Sequence, residues 1–172
     1  MHFICGSTGA GKTTYAVALA KRTKAVRFTI DEWMANLFVV DRPGTPSLEW
    51  ALERTARCEA QMWALTEQLL ARGVDVVFDV GLLRRDHRDH LRFRGLQVGA
   101  EVKLHYLDVD RETRRARVRR RNTERTETYL FPVTDEMFDF MECSECAATF
   151  PFIKGNYMLA TSALPKTGQE DA

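Results

Sequence analysis

The stretch GSTGAGKT, residues 6–13, decides the fold of this chain. It fits the pattern G-x-x-x-x-G-K-[ST] at every fixed position, with an apolar strand pattern at 2–5 before it and a helical pattern at 11–24 after it. The glycines let backbone N–H groups turn inward around phosphate oxygens, and the helix N-terminus adds partial positive charge. A flexible glycine-rich turn with a chance lysine would not explain this flanking strand and helix. The stretch therefore predicts a phosphate-binding loop (P-loop).

The residues of this loop are predicted to bind the phosphates of ATP. Lys12 is expected to reach the β- and γ-phosphates and to act in catalysis, and the Thr13 hydroxyl is expected to ligate Mg²⁺. The predicted cofactors are therefore ATP and Mg²⁺. The predicted nucleotide-binding residues are Gly6, Ser7, Thr8, Gly9, Ala10, Gly11, Lys12, Thr13 and Thr14.

Strand and helix patterns alternate along the rest of the chain, which predicts βαβ units and a parallel sheet with helices on both faces. We expect a P-loop NTPase fold of the α/β class, with three α/β/α layers, a mostly parallel five-stranded sheet and a small arginine-rich lid at about 111–133. One domain would span 1–165, and 166–172 would form a polar tail. The predicted strands are 2–5, 26–30, 74–80, 101–109 and 150–159, and the main predicted helices are 11–24, 47–72, 85–97, 111–122 and 134–146.

Composition limits the location and the partners. The chain has 172 residues, enough for one domain with a sizeable core, and a formal net charge of +1, so no overall field attracts it to nucleic acid or a membrane. Its apolar start ends at Gly6, too early for a signal peptide, and no apolar run approaches the roughly 20 residues of a membrane helix. The four cysteines are expected to be free thiols in a reducing cytoplasm. Cys143 and Cys146 have zinc-like spacing, but no second Cys/His pair lies nearby, which favours packing.

Asp31 follows the second predicted strand, at the edge where parallel sheets bind ligands. A carboxylate there is suited to accept the proton of an attacking hydroxyl group or to orient that group, as phosphoryl transfer requires. An alternative is that Asp31 caps the helix that starts at residues 32–34, which is a favoured role for Asp. The two roles are compatible. Asp31 is therefore a predicted catalytic and substrate-binding residue.

Asp79 ends the apolar strand 74–80 in the manner of a Walker B carboxylate, and it is predicted to hold Mg²⁺ directly or through water. The alternative is a buried Asp that bonds to the P-loop backbone. Arg85 and Arg88 follow at i, i+3 on a helix that begins near the same edge. They are predicted to bind an anionic substrate or position the acceptor, with solvated surface arginines as the alternative.

Seven arginines fall within residues 111–121. Arg114, Arg117 and Arg121 lie on one stripe about 60° wide, because an α-helix turns by about 100° per residue. Such a stripe is typical of a lid that closes over triphosphate charge and stabilises the transition state. Contacts to a nucleic-acid backbone or a solvated surface are the alternatives. Arg117 and Arg121 are the predicted catalytic members.

With these motifs in this order, the chain resembles the AAA-domain type of small P-loop kinases. That group is related to polynucleotide 5′-hydroxyl kinases and, more distantly, to zeta-toxin and chloramphenicol phosphotransferase-like enzymes. The resemblance covers roughly residues 1–142. It rests on the stretch 6–13, on Thr29-Ile30-Asp31-Glu32, on Val77-Phe78-Asp79 followed by Arg85 and Arg88, on Leu107-Asp108-Val109 and on 117–122.

The resemblance implies roles that agree with those read from the residues. Lys12 and Thr13 would bind nucleotide and Mg²⁺, Asp31 would activate the acceptor, and Asp79 would lie near the metal. Arg85 or Arg88 would lie on the acceptor side, and Arg117 and Arg121 would belong to the lid. The chain departs from its relatives at Val80-Gly81-Leu82, where many carry a small polar pair and Asn, and again after Cys143.

The sequence therefore predicts a phosphotransferase that moves the γ-phosphate of ATP to a hydroxyl group of a small molecule. The alternatives are a 5′-hydroxyl polynucleotide kinase, which the near-neutral charge does not favour, and a nucleotide-dependent switch with slow hydrolysis. A switch needs a water-orienting residue and ordered switch loops, and no motif indicates either. The expected partners are a nucleotide and a small acceptor, without a membrane.

Overall fold

The structure of the chain is a computed structural model. The structure describes residues 1–39, 41, 44, 47–81, 85–125, 129–143 and 157–160. Its elements, in chain order, are β1 (His2–Cys5), α1 (Lys12–Thr23), β2 (Val26–Thr29), α2 (Ile30–Phe38), α3 (Leu48–Leu70), β3 (Val76–Asp79), α4 (Arg85–Gln97), β4 (Lys103–Leu107), α5 (Arg111–Glu124), α6 (Asp135–Cys143) and β5 (Tyr157–Ala160).

The five strands form one sheet in the order β2-β3-β1-β4-β5, and every neighbouring pair is parallel. The predicted α/β fold with a five-stranded sheet is confirmed. Strands β1 and β3 are buried along their whole length, as expected for central strands of a sheet that is covered on both faces. All strand carboxyl ends therefore meet at one edge of the sheet, which is where the P-loop lies.

Two apolar clusters, one on each face of the sheet, make the three layers. On one face, α3 and α4 pack against Phe3 and Phe78 through buried residues such as Met62 and Leu91. On the other face, α1 packs against Ile4, Val77 and Leu107. Alternate side chains of a strand point to opposite faces, so the neighbours Phe3 and Ile4 enter different clusters.

The second strand is shorter than predicted. It ends at Thr29, and Ile30 is the first residue of α2 rather than the last residue of β2. Asp31 therefore lies in the first turn of a helix. The N-cap of α2 is Thr29, which makes no side-chain capping bond. The alternative in which Asp31 caps this helix is therefore wrong. Acidic residues in a first turn are favoured by the helix dipole.

The long third helix begins where its sequence predicts, because the Ser47 side chain accepts a hydrogen bond from the Trp50 amide at 3.1 Å. It ends at Leu70, two residues before the predicted end. There the Gly73 amide bonds to the Leu70 carbonyl at 2.9 Å, in a turn for which Gly73 adopts a φ of 71°.

The other predicted elements are present with boundaries moved by a few residues. The last strand spans Tyr157–Ala160, and the part of its predicted range before residue 157 lies outside the described residues, as does Cys146. Within the described ranges, no helix is long and apolar enough to cross a membrane.

Candidate active site

The P-loop joins the end of β1 to the start of α1 and takes a shape that its glycines permit. Gly6, Gly9 and Gly11 adopt φ values of 145°, 81° and 91°, a region that other residues rarely enter. A Cβ atom on Gly9 would lie 2.5 Å from the Arg114 carbonyl oxygen and 3.0 Å from a Val118 methyl group of α5. The glycine at position 9 therefore allows α5 to pack directly on the loop.

The N-terminus of α1 is prepared for an anion. Its N-cap is Gly11, which has no side chain to bond the first-turn amides, and the first turn contains no acidic residue. Amides of a first turn have no partner within the helix. The Lys12 ammonium group curves back over the loop and donates to the Ser7 carbonyl at 3.3 Å. This cradle of amides and one lysine fits the phosphates of a nucleotide.

Asp79 and Thr13 form the predicted metal side of the site. Asp79 ends β3 and is buried, with 5% of its surface exposed. Burial raises the pKa of its carboxyl group, and a hydrogen bond from the Thr13 hydroxyl and the charge of Lys12 oppose that shift. Its Oδ2 atom is buried without a hydrogen-bond partner in the described part of the chain. A carboxylate oxygen left unsatisfied beside a hydroxyl group fits Mg²⁺, which takes its remaining ligands from water and substrate phosphates.

Asp31 is exposed to solvent, yet protein surrounds the first turn of α2 closely enough to raise the pKa of its carboxyl group by desolvation. The charges of Lys12 and Arg121 oppose this shift, and the neighbouring Glu32 adds to it. Asp31 in turn raises the pKa of Asp79. The structure thus brings the predicted lysine, both aspartates and one lid arginine into one electrostatic neighbourhood.

The predicted arginine stripe of α5 faces the P-loop. Arg117 donates to the Ala10 carbonyl at 3.4 Å. The Nε atom of Arg121 is buried and has no hydrogen-bond partner among the described residues, and its charge acts on Asp31. An unsatisfied buried guanidinium N–H is suited to meet an anionic ligand.

Arg114, the stripe residue that the sequence did not select, is the most buried of the three. It is 6% exposed, donates from Nε to the Val109 carbonyl at 2.8 Å and from Nη1 to the Thr8 carbonyl at 3.3 Å. It thereby fixes the base of α5 to the P-loop. The helical periodicity that groups it with Arg117 and Arg121 was the available signal.

The other four arginines of this segment pair with carboxylates. Two acidic residues of α6, Asp135 and Asp139, receive most of these contacts, and Phe138 between them is fully buried. The pairs are Arg111 with Asp139 (2.6 Å), Arg115 with Asp135 and Asp139, Arg119 with Asp135 (2.9 Å) and Arg120 with Glu124 (3.7 Å). These charges attach α6 to α5 rather than leaving a bare basic surface.

The two arginines predicted for the acceptor side differ in environment. Arg85 is about half exposed, and its guanidinium group lies 3.5 Å from Asp89 of its own helix. Arg88 is buried, with 6% of its surface exposed, so it is not the solvated surface residue that the alternative described. Their part in substrate binding stays a prediction.

Sequence reasoning missed Arg27. Its guanidinium group lies between two carboxylates, with Nη2 2.5 Å from Glu32 and Nη1 3.9 Å from Asp79. No motif marks this position. The available signal was strand parity, because Arg27 and Thr29 share a face of β2, and Thr29 pairs in register with Asp79.

Comparison with known proteins agrees with this geometry. The fold is similar to a sugar kinase from Janibacter sp. (TM-score 0.61, 17% identity, covering 95% of this chain and 86% of that chain) and to a gluconokinase from Sinorhizobium meliloti (0.58, 15%, 95% and 83%). It is also similar to Kti12 from Chaetomium thermophilum, solved in complex with ADP-AlF3 (0.66, 16%, 94% and 89%). No curated protein sequence matches the chain significantly. The model of the family described as AAA domain matches residues 1–142, and the chain therefore belongs to this AAA-domain family of P-loop proteins, as its motifs predicted.

Proposed function

We propose that this protein is an ATP-dependent kinase that transfers the γ-phosphate of ATP to a hydroxyl group of a small-molecule acceptor. The observation that carries the proposal is the convergence of Lys12, Asp31, Asp79 and Arg121 beside the P-loop. A P-loop alone is common to kinases and switches. Asp31, which lies near enough to Lys12 and Arg121 to feel their charges, adds a carboxylate that can accept the proton of the acceptor hydroxyl group.

In the proposed reaction, the acceptor oxygen attacks the γ-phosphorus and the bond between that phosphorus and the bridging oxygen of ADP breaks. The acceptor proton passes to the Asp31 carboxylate, and ADP leaves. Desolvation raises the pKa of Asp31, which makes it a stronger base than an ordinary aspartate. Lys12 and Arg121 offset the negative charge that develops on the transferred group and on ADP. Mg²⁺, held by Thr13 and Asp79, would supply further neutralisation of phosphate charge.

The charge distribution supports a small acceptor over a polynucleotide. The net charge is +1, four arginines of the segment 111–121 pair with acidic residues, and the other three face the P-loop. Binding to a polynucleotide depends mainly on unpaired basic groups along its path. The names of the similar structures do not decide between these acceptors, because they include a sugar kinase, a gluconokinase and an RNA repair complex.

The test is transfer of label from γ-labelled ATP with Mg²⁺ to a panel of sugars, nucleosides, aminoglycoside- or phenicol-like alcohols and 5′-hydroxyl oligonucleotides. Label on one class, reduced at least about 100-fold by Asp31→Asn, is the expected result. Glu49→Gln is the matched control, because Glu49 is also an exposed acid in the first turn of a helix.

Two outcomes would change the proposal. Label on the oligonucleotide alone would support the polynucleotide alternative. Release of free phosphate at equal rates from wild type and Asp31→Asn, without label on any acceptor, would refute the kinase proposal and favour a nucleotide-dependent switch.

A further inference from the structure

Arg27 forms ion pairs with two carboxylates of the candidate active site, Glu32 on α2 and Asp79 on β3. It lies on the edge strand β2, where its face also carries Thr29, the register partner of Asp79 on β3. Its Nη2 atom donates to Glu32 in the first turn of α2 at 2.5 Å. Its Nη1 atom lies 3.9 Å from the Oδ2 atom of Asp79. One side chain thus reaches the helix that carries Asp31 and the strand that carries Asp79.

The contact with Asp79 is within ion-pair distance but is not a hydrogen bond. Arg27 Nη1 and Asp79 Oδ2 are both buried, and within the described ranges neither atom has a hydrogen-bond partner. Buried charged groups are stable only when paired, so the Arg27 guanidinium group stabilises the Asp79 carboxylate at this distance, while the Oδ2 atom can still accept a further ligand.

The contact with Glu32 ties this arginine to the acceptor side. Glu32 follows Asp31 directly, so a bond that holds Glu32 also limits movement of the Asp31 backbone. The backbone at Thr29 is extended and that of α2 is helical. The chain therefore changes direction between β2 and the first turn of α2, which carries Asp31 and is called the catalytic turn below. The Arg27 side chain spans this change of direction.

We propose that Arg27 is a positioning residue that holds the first turn of α2 against β3, and so keeps Asp31 in place relative to Asp79. This inference rests on the kinase function proposed above. Phosphoryl transfer requires the acceptor hydroxyl to be in line with the γ-phosphate, and a displacement of about 1 Å reduces the rate by roughly 100-fold. The arginine acts through the two carboxylates and does not itself touch the reacting atoms.

The first test is kinetic. Arg27→Gln is expected to lower kcat by about 10- to 100-fold, because it releases the catalytic turn, while the Kd for Mg·ADP changes by less than about 3-fold. Arg27→Lys restores part of the loss, since it keeps the charge without the forked geometry. Arg120→Gln is the control, because Arg120 forms an exposed pair with Glu124 at 3.7 Å. The assay uses the panel acceptor that takes the label.

The second test measures coupling. Glu32→Gln is expected to lower kcat in the same direction, and the double variant Arg27→Gln/Glu32→Gln is expected to be no worse than the more impaired single variant. A merely structural role of Arg27 would instead lower the melting temperature and leave kcat unchanged. That outcome would overturn the inference, as would full additivity of the two substitutions.

The third test does not depend on activity. Backbone amides at 34–37 bond to carbonyls of the first turn of α2, so their hydrogen exchange is expected to accelerate in Arg27→Gln and Glu32→Gln but not in Arg120→Gln. Unchanged exchange in Arg27→Gln would overturn the inference. If the wild type transfers no phosphate to any acceptor, the kinase proposal fails, whereas this exchange experiment still decides whether Arg27 holds α2.

Discussion

A buried histidine pair should make the stability of this protein depend on pH. His105 on β4 lies between two polar partners, with Nε2 2.9 Å from Nδ1 of His2 and Nδ1 2.9 Å from the hydroxyl oxygen of Tyr15. Only 1% of His105 is exposed. Burial lowers its pKa to about 4, and the charges of His2 and Arg22 act in the same direction. The neutral imidazole of His105 thus has a hydrogen-bond partner at each ring nitrogen.

The magnitude follows from the difference between the folded and unfolded pKa. The value falls from 6.5 to about 4, and each unit is about 1.4 kcal/mol, so complete protonation of His105 removes roughly 3 kcal/mol of stability. Because the folded pKa is lowered, this contribution is fully present above the unfolded pKa. It is lost as the pH falls from about 6.5 towards 4. Burial also lowers the pKa of His2, which adds a loss of the same sign. Against a typical stability of roughly 5–15 kcal/mol, the effect is large.

The assay is urea unfolding of the wild type and His105→Gln at pH 7.5, 6.5, 5.5 and 4.5. Glutamine offers a donor and an acceptor but does not titrate in this range. The wild type should lose on the order of 2–3 kcal/mol more than the variant between pH 6.5 and 4.5. Carboxylates also titrate there, and the difference between the two proteins removes their common contribution. His90→Gln is the control substitution, because it makes the same replacement at an exposed histidine of α4. Equal slopes for the wild type and His105→Gln would refute the reasoning.

Two further substitutions test the P-loop and the metal side. In urea unfolding, Gly9→Ala should lower the free energy of unfolding by on the order of 2 kcal/mol more than Gly99→Ala. Both glycines have a positive φ (81° and 73°), but only a Cβ atom at position 9 would contact α5. Equal losses of stability in the two variants would contradict the proposed packing. Asp79→Asn should weaken nucleotide binding at least about 10-fold in Mg²⁺ but not in EDTA, as calorimetry can measure.

The parts of the fold that could be predicted are those that depend on local pattern. Glycine spacing and a flanking strand and helix indicated the P-loop, and apolar strands alternating with helices indicated the parallel sheet. Element ends were less accurate. Ile30 is apolar and continues the pattern of β2, so nothing in the local sequence shows that the helix begins there rather than two residues later.

The place of a candidate site residue could be predicted where its position along the chain alone determined it. Asp79 is such a case, because it ends a central parallel strand, at the edge where such sheets bind ligands. Its role at a metal stays a prediction. For Arg85, position along the chain does not give the direction of the side chain. It follows the same edge closely in sequence, and its side chain lies beside Asp89 of its own helix, which depends on helix rotation rather than on spacing. Its part in substrate binding stays a prediction.

The roles of the arginines on α5 depend on which element packs against each face of that helix. The sequence alone therefore could not fully separate the arginines that contact the P-loop from those that pair with acidic residues. One face meets the P-loop because Gly9 carries no side chain, and the arginines there bond to carbonyls of the loop. On the other face, arginines of α5 form ion pairs with Asp135 and Asp139 of α6, and Phe138 is buried between these two residues. Helical periodicity groups Arg114, Arg117 and Arg121 correctly, but it does not reveal that α6 neutralises the remainder. That neutralisation is what weighs against nucleic acid as the acceptor, so the inference about substrate class depends on tertiary contacts that no local motif encodes.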